Sequence, residues 1–285
     1  MKFFTPLRYS DGRDGMTGFM KMILEQNDLL GSEYVEPHAG SAAIALDLLT
    51  HGYVSKIHLN EPNPQTYAFW HSVINEPEAL CKTIRDAKIT FEEWQRQQAI
   101  LNSPGNHSAL ELGFSIFFLN RVNRSGILWE SANNNRNGQW KFDARFDKND
   151  LIRRIEWIAL HRSLIRLYQL DVPCFIQTTL PSLPARTLVY LNTPCDASEF
   201  RFRYDQHQPP SSIIAHDIAH LIKTKIEQFW IASYAYAAET STLYQGYSSM
   251  TYQTVYDHFE QTRIMFFSRK LIIPNMQTLS KLKTA

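Results

Sequence analysis

Residues 187–195 read TLVYLNTPC, and this stretch decides how the chain can fold. Its apolar run, Leu188–Leu191, is short and continuous, which is typical of a strand buried on both faces of a parallel sheet. The run stops at Asn192, and Pro194 fixes the backbone that follows. Because ligands bind at the carboxyl ends of strands in open α/β sheets, we expect Asn192 and Cys195 at the mouth of a pocket. A polar turn without a ligand would produce the same pattern, so the stretch alone leaves both interpretations open.

The composition is that of an ordinary soluble globular protein, with 44% hydrophobic and 20% charged residues in a chain of 285. This length suits one large domain or two modest ones. Lys and Arg number 29 against 28 Asp and Glu, so overall charge favours no particular partner. A polar amino terminus, three cysteines and the lack of an apolar run of about 20 residues predict a cytoplasmic protein without a signal peptide or membrane span.

Two strand–helix units precede the opening stretch. Residues 33–36 form a predicted strand, a small-residue turn follows, and residues 42–49 form a predicted helix. A second strand is predicted at residues 56–60, with Glu61 at its carboxyl end. An acidic residue at this position can accept hydrogen bonds from ribose hydroxyls, although a surface turn explains it as well. The turn has neither a P-loop ending nor a full Gly-x-Gly-x-x-Gly, so the phosphate-binding signal is weak.

The middle of the chain is predicted to be helical. Helices are expected from residue 65, after Thr90, over residues 109–120, and from Lys148 to about Tyr168, with no strand before the 170s. Residues 80–165 therefore have the character of a helical insertion in an α/β framework. Beyond the opening stretch, a helix is predicted near residues 211–228 and a strand at 230–234, followed by a hairpin of strands at 251–256 and 263–267.

Two polar segments of the insertion carry candidate nucleic-acid contacts. Residues 120–126 read NRVNRSG and residues 133–140 read NNNRNGQW. Asn, Arg and Gln have the forked donors and acceptors that contact phosphates and base edges. A solvated polar loop is the competing interpretation.

One metal-like motif is set aside, and the sequence predicts no metal site. His216 and His220 have the i, i+4 spacing of a zinc-protease helix. The catalytic glutamate of that motif is replaced by aspartate, and no third ligand is near in the sequence.

Taken together, the chain resembles the DNA adenine methylase family, the Dam-type N6-adenine DNA methyltransferases, over nearly its whole length. The residues 118–128, FLNRVNRSGIL, are very close to the family's Asn-Arg-Thr-Asn-Arg-Ser-Gly segment. The matching segments occur in the family's order and are Pro6–Tyr9, Tyr34–Gly40, Phe118–Leu128, Asp143–Phe146, Asp150–Ile155 and Val189–Cys195.

The resemblance implies an α/β methyltransferase (Rossmann-like) fold, with a seven-stranded, largely parallel sheet and an inserted helical DNA-recognition domain. The α/β domain is expected over residues 1–80 and 166–285, and the insertion over residues 81–165. The implied cofactor is S-adenosylmethionine, with binding residues Tyr9, Arg13, Glu36, Pro37, His38, Gly40, Glu61, Cys174 and Phe175. The implied partner is double-stranded DNA, contacted by Asn120, Arg121, Asn123, Arg124, Ser125, Asn135 and Arg136.

The catalytic segment departs from the family's Asp-Pro-Pro-Tyr motif, in which the first residue accepts a hydrogen bond from the target amino group. This chain has Asn192, Thr193, Pro194 and Cys195 there. An asparagine oxygen still accepts a hydrogen bond, but Cys195 removes the aromatic ring that stacks on a flipped base. Such stacking contributes about 1–3 kcal/mol per base.

The cofactor segments depart as well. Arg13 stands at a lysine position, His38 at a phenylalanine position, and Ala42 at a common glycine position. Glu61 and Cys174 stand where the family has aspartates for the ribose and the adenine. A thiol is a poor acceptor and leaves the adenine amino group unsatisfied.

The leading hypothesis is a pseudoenzyme: a member that is catalytically dead or impaired, binds DNA, and acts as a regulatory partner in a larger system. Weakened or lost S-adenosylmethionine binding belongs to this hypothesis. The alternative is an active S-adenosylmethionine-dependent N6-adenine methyltransferase with an unusual motif, in which another ring such as Tyr204 stacks on the base. A third hypothesis is a protein-interaction scaffold that does not bind DNA through Arg121 and Arg124.

Overall fold

The computed structural model describes residues 4–8, 13–123, 143–192, 212–256 and 259–274. These residues fall into two compact units. The first comprises the described parts of Ser10–Pro62 and Leu164–Ala285, and the second those of Phe4–Tyr9 and Asn63–Ser163. The corresponding boundaries predicted from the sequence are residues 80 and 165.

The first unit contains a seven-stranded sheet with the order β3-β2-β1-β4-β5-β7-β6. Its strands are β1 (Ser32–Glu36), β2 (Val54–Asn60), β3 (Ile165–Tyr168), β4 (Leu188–Asn192), β5 (Phe229–Ala235), β6 (Ser248–Tyr256) and β7 (Phe259–Phe267). Its helices are α1 (Arg13–Gln26), α2 (Ala43–Thr50), α8 (Val172–Thr178), α9 (Ser212–Lys225) and α10 (Ala238–Thr242). β1 to β5 pair in parallel, and β7 pairs antiparallel with β5 and β6. This order confirms the predicted seven-stranded, largely parallel fold.

β4 lies in the middle of the sheet, between β1 and β5. Its residues Leu188–Leu191 are buried, and Asn192 at its end is half-buried. Val189 and Leu191 pack into the core formed with helices α8 and α9. On the other face, Phe19 of α1 meets Phe267 of β7 edge-on, with ring centroids 6.1 Å apart. Burial on both faces explains the continuous apolar run.

One strand was missed by the sequence analysis, and the predicted extent of one helix was wrong. The helix that begins at Lys148 ends at Leu160, not near Tyr168, and residues 165–168 form β3. The short sequence Ile-Arg-Leu-Tyr continues the apolar spacing of the preceding helix, so its periodicity is ambiguous. Pairing with β2 decides the matter, with Ile57 opposite Ile165 and Asn60 opposite Tyr168.

The second unit contains the helices predicted for the middle of the chain. They are α3 (Pro64–Asn75), α4 (Pro77–Asp86), α5 (Phe91–Asn102), α6 (Ala109–Val122) and α7 (Lys148–Leu160). α6 is buried along most of its length. It crosses α3 so closely that a Cβ added at Gly113 would lie 2.7 Å from the carbonyl oxygen of Ala68. Among the described residues, no helix has the length and apolarity needed to cross a membrane.

The turn between β1 and α2 has an unusual backbone. Gly40 has a φ of 50°, which glycine adopts easily, and Ala42 has a φ of 48°, in the left-handed region that a Cβ disfavours. Ala42 is also almost fully buried, at 1% exposure, and its carbonyl accepts the amide of Leu46 at 2.9 Å. The strained residue therefore lies at the start of α2, in the segment expected to bind the cofactor.

Replacing Ala42 with glycine should relieve this strain. The left-handed conformation costs an L-residue about 1–2 kcal/mol, partly offset by the larger unfolded-state entropy of glycine. We expect Ala42→Gly to raise the free energy of unfolding by about 1 kcal/mol, measured by urea denaturation. The control Ala45→Gly, inside α2, should lower it. A destabilised Ala42→Gly would contradict the strain argument.

Candidate functional site

The carboxyl edge of the sheet brings together residues that are far apart in sequence. Glu36 ends β1, Asn60 ends β2 and Asn192 ends β4. These strands are parallel, so their ends meet at the same edge, where open α/β sheets bind ligands. The edge is polar and largely buried, since Glu36 is 5% exposed and Asn60 is fully buried.

Glu61 and the glycine turn contact each other directly. The Gly40 amide donates a hydrogen bond to Oε2 of Glu61 at 2.9 Å, although the two residues are separated by a whole helix and strand. The Glu61 amide in turn donates to the Tyr168 carbonyl at 3.0 Å. The carboxylate, which is 1% exposed, therefore lies beside the turn after β1. The expected role of Glu61 in binding a ribose stays a prediction.

Glu36 is used inside the fold. Its Oε1 accepts hydrogen bonds from the Tyr34 hydroxyl at 3.3 Å and from the Ala45 amide at 3.2 Å. The carboxylate thereby satisfies an amide in the first turn of α2, where a negative charge is also stabilised by the helix dipole. Burial, and then the neighbouring Glu36 charge, raise the pKa of Tyr34 well above its usual range, so this hydroxyl stays a donor.

Asn60 connects the ends of three strands, a role that was not predicted from the sequence. Its Nδ2 donates to the carbonyls of Pro37 at 3.0 Å and of Leu170 at 2.9 Å, and its Oδ1 accepts the Leu170 amide at 3.0 Å. A polar residue at the end of an apolar strand was the available signal. Its role depends on β3, which the sequence did not reveal.

Asn192 contacts a second residue that the sequence analysis missed. Arg263 of β7 is 1% exposed and donates from Nη2 to Oδ1 of Asn192 at 2.7 Å. Its Nε donates to the Ser233 hydroxyl at 3.4 Å, and that hydroxyl lies 2.8 Å from the Tyr252 hydroxyl. A guanidinium can only donate, so this contact fixes which end of the amide faces the arginine. An arginine within the apolar strand sequence TRIMFF was the available signal.

The other predicted cofactor residues of the first unit lie in varied surroundings. Cys174 is half-buried in the first turn of α8, where its amide donates to Asp171 at 2.7 Å. Phe175 is fully buried, and its ring packs edge-on against Tyr168. The Pro37 carbonyl is bound by Asn60, His38 is half-buried, and Arg13 is the first residue of α1.

In the second unit, two residues of the predicted DNA segment have internal partners. Asn120 is 2% exposed, and its amide bonds to the main chain of Arg8. Asn123 is fully buried, and its Oδ1 accepts the indole N–H of Trp94 at 2.7 Å. Their assignment as DNA contacts stays a prediction.

Arg121, between these two, is a half-buried cation. Its Nε donates to the Arg145 carbonyl at 3.1 Å. Burial, and then the nearby charges of Arg8 and Arg154, lower its pKa to about 9, so it remains protonated at neutral pH. The charge of Asp150 acts in the opposite direction and raises the pKa of Arg121, although this carboxylate forms its salt bridges with the two arginines of α7.

Several predicted site residues lie outside the described residues. They are Tyr9, Arg124, Ser125, Asn135, Arg136, Thr193, Pro194 and Cys195. Tyr204, the ring considered for the alternative mechanism, is also among them. Within the described residues, no group of three or more His, Cys, Asp or Glu side chains could hold a metal ion.

A largely parallel seven-stranded sheet with polar groups at its carboxyl edge places this protein in the α/β class, with a Rossmann-like sheet. Residues 17–258 match the model of a family described as D12 class N6 adenine-specific DNA methyltransferase. The match covers most of the chain, which therefore belongs to this family, and the predicted Dam-type resemblance is confirmed. No curated protein gives a significant match.

Two solved methyltransferase structures resemble the chain distantly. One is M. capricolum TrmK in complex with S-adenosyl-homocysteine, with 8% identity, a TM-score of 0.38, and coverage of 90% of this chain and 73% of that one. The other is the precorrin-6y C5,15-methyltransferase from Geobacter metallireducens GS-15, with 11% identity, a TM-score of 0.36, and coverage of 86% and 85%. Identities and scores this low say nothing about what this chain binds.

Asn60 should be essential for the stability of the carboxyl edge. Asn60→Ala leaves the main-chain groups of Pro37 and Leu170 without their buried partner, so we expect a loss of about 3 kcal/mol in the free energy of unfolding. Urea denaturation measures it, with the exposed Asn75→Ala as a matched control of near-zero effect. A loss no larger than that of the control would contradict the bridging role.

Proposed function

We propose that this protein is a catalytically impaired member of the D12 class that binds DNA in the cytoplasm and serves as a regulatory partner. The observation that carries the proposal is the hydrogen bond from Arg263 to Oδ1 of Asn192. By the resemblance, this Oδ1 is the atom that would accept a hydrogen bond from the amino group of the target adenine.

An adenine amino group would have to compete with Arg263 for Oδ1 of Asn192, and the competition favours the arginine. Methyl transfer to an amino group needs an acceptor that orients the nitrogen lone pair, and orientation of this kind contributes a large part of catalysis. A guanidinium is always charged, and charge-assisted hydrogen bonds are roughly twice as strong as neutral ones. Arg263 is already buried beside Asn192, so an adenine amino group must share or displace a stronger donor. The neutral amide of Asn192 is also a weaker acceptor than a carboxylate.

Two groups of the expected cofactor site support the proposal that the protein binds a nucleoside. Glu61 and the Gly40 turn lie together as ribose-binding groups do in nucleotide-binding folds. S-adenosylmethionine, when bound, would supply the methyl group. Glu36 already has internal partners, and Cys174 offers a poor acceptor, so we expect weaker binding than in an intact family site.

DNA binding is supported by the electrostatics of Arg121. This half-buried cation lies near three further arginines, Arg8, Arg145 and Arg154, and one carboxylate, Asp150, so it would gain a favourable partner in a backbone phosphate. Phosphate contacts of this kind supply most of the sequence-independent affinity for DNA.

The proposal is tested by incubating the protein with labelled S-adenosylmethionine and a pool of duplex DNA of mixed sequence. We expect no methyl incorporation into adenine above background, together with measurable DNA binding. Robust incorporation would overturn the proposal in favour of the alternative, an active N6-adenine methyltransferase with an unusual motif. The alternative is supported by the position of Asn192, which lies at the end of β4.

Asn192→Asp, the simplest restoring substitution, should produce an ion pair with Arg263 rather than an active site. The guanidinium is buried already, so adding its charged partner should raise the free energy of unfolding at pH 7 by about 1–2 kcal/mol. The arginine holds the folded-state pKa of the introduced carboxyl below the unfolded value near 3.9. The gain is therefore present above about pH 4 and is lost as the pH falls through the folded-state pKa.

Thermal and urea denaturation between pH 3 and pH 7 measure this effect. The exposed Asn106→Asp makes the same chemical change without a guanidinium partner and serves as the control. The proposed bond between Arg263 and residue 192 would be contradicted by an Asn192→Asp variant that is no more stable than this control at pH 7. A variant that methylates DNA efficiently would contradict it as well.

Arg121→Ala should weaken DNA binding uniformly across sequences. Loss of one phosphate contact lowers the slope of log affinity against log salt by about 1. Fluorescence anisotropy over a salt series measures it, with Arg96→Ala, an equal charge change at a 66% exposed side chain, as control. Equal slopes for both variants would favour the scaffold hypothesis.

A further inference from the structure

A glutamate, a histidine and a tyrosine from three adjacent strands of the first unit form a chain of hydrogen bonds. Nε2 of His58 on β2 lies 2.8 Å from Oε2 of Glu33 on β1, and Nδ1 lies 3.0 Å from the hydroxyl of Tyr168 on β3. The His58 side chain is only 4% exposed, whereas Tyr168 is half-buried. The chain therefore connects the edge strand β3 through β2 to β1.

The two contacts define the protonation state in which this chain is complete. A carboxylate can only accept, so a neutral His58 has to carry its hydrogen on Nε2, facing Glu33. Nδ1 is then the acceptor, and the Tyr168 hydroxyl donates to it. An imidazolium carries a hydrogen on both nitrogens, so protonation of His58 removes the acceptor that Tyr168 uses.

The charged groups around His58 come from all three strands. Burial lowers the pKa of His58 the most, and the contact with Glu33 opposes this shift. The positive charges of Lys56 on β2 and Arg166 on β3 lower the pKa further, so His58 is neutral at pH 7. The helix that packs against β3, α8, has no charged residue.

Glu33 stays ionised while the pH falls from neutral to 5. Burial alone would raise the pKa of Glu33, but the hydrogen bonds from His58 and Lys56 outweigh it and hold the pKa below its usual value. The Lys56 ammonium lies 3.2 Å from Oε1 of Glu33. A structural change between pH 7.5 and pH 5 at this place in the sheet therefore reports His58 rather than Glu33.

β3 is a short strand whose end supports the carboxyl edge of the sheet. It has four residues and lies at the end of the strand order, where it pairs with β2. The Tyr168 carbonyl accepts the Glu61 amide at 3.0 Å. The Leu170 amide, just after the strand, donates to Oδ1 of Asn60 at 3.0 Å. Release of β3 would therefore remove partners from both Asn60 and Glu61.

We propose that neutral His58 holds β3 on the sheet and that its protonation releases this strand, which makes the carboxyl edge sensitive to pH. This regulatory role is independent of the proposed function. An imidazolium is disfavoured in the buried position and regains water when β3 opens, so acid favours the open strand. The stability that His58 contributes is present above its unfolded-state pKa near 6.5 and is lost progressively as the pH falls through that value.

Hydrogen exchange of single amides tests the release of β3. The Glu61 and Leu170 amides should lose protection by about fivefold between pH 7.5 and pH 5, after correction for the intrinsic pH dependence of exchange, the effect of one lost hydrogen bond. The Phe229 amide, which donates to the Thr187 carbonyl at 3.1 Å beside β4, should keep its protection. Unchanged protection at Glu61, or an equal loss at Phe229, would overturn the proposal.

His58→Gln separates the titration from the hydrogen bonds. Glutamine has both a donor and an acceptor but does not titrate, so the pH dependence at the Glu61 amide should disappear. His51→Gln is the matched control, because His51 is a 46% exposed histidine that also contacts a carboxylate, and this variant should behave as the wild type. A pH dependence that persists in His58→Gln would show that another group is responsible.

Tyr168→Phe is a second test, which keeps the buried imidazole. It removes only the hydroxyl and leaves the ring that packs against Phe175, with centroids 5.3 Å apart. The Glu61 amide should be about fivefold less protected than in the wild type at pH 7.5 and should lose less on acidification. A loss at pH 5 as large as that of the wild type would contradict the role of the Tyr168 hydroxyl.

NMR of nitrogen-labelled histidine measures the state of His58 directly. At pH 7.5 we expect a neutral ring with its hydrogen on Nε2. A charged ring, or a hydrogen on Nδ1 alone, would overturn the proposal whatever the exchange rates.

Discussion

The parallel pairing of β4 with both β1 and β5 is the constraint on which the rest of the first unit depends. A strand in this position must bury both faces and satisfy its backbone groups on both sides. It therefore has to be apolar until it ends, and the first polar side chain, Asn192, falls at the carboxyl edge. The parallel pairing of β1 with β4, and of β2 with β1, brings the ends of β1 and β2 to that edge, so Glu36, Asn60 and Glu61 collect there. The location of the candidate site thus follows from the hydrogen bonding of the sheet.

The polar groups at this edge are mostly occupied by the protein itself. Asn192 binds Arg263, Glu36 binds Tyr34 and the start of α2, and Asn60 binds the chain on both sides of it. An active site needs donors and acceptors that are held in place yet available to the ligand. Here these donors and acceptors already form hydrogen bonds within the protein. This is the physical basis for inferring impaired catalysis in a chain that belongs to a methyltransferase family.

Much of the fold and part of the site could be predicted from the sequence. The strands with continuous apolar runs, the capped helices and the closing hairpin were all predictable from local patterns, and so was the placement of Glu36, Glu61 and Asn192 at strand ends. β3 could not be predicted, because four residues with helix-like spacing become a strand only when β2 offers an edge. Arg263 and Asn60 were missed because their partners are distant in sequence: Arg263 bonds to Asn192 of β4 and Ser233 of β5, and Asn60 bonds to the chain that follows β1 and β3.

The sequence by itself determined the fold class, the family and the strand ends at which ligands would bind, because these follow from hydrophobic periodicity and from motifs read along the chain. The tertiary structure alone decided what the polar residues do there. Whether Asn192 faces a buried guanidinium, or Asn120 the main chain of Arg8, depends on registers and packing between segments far apart in sequence. Such contacts are chosen by the folded state as a whole, so no local pattern records them.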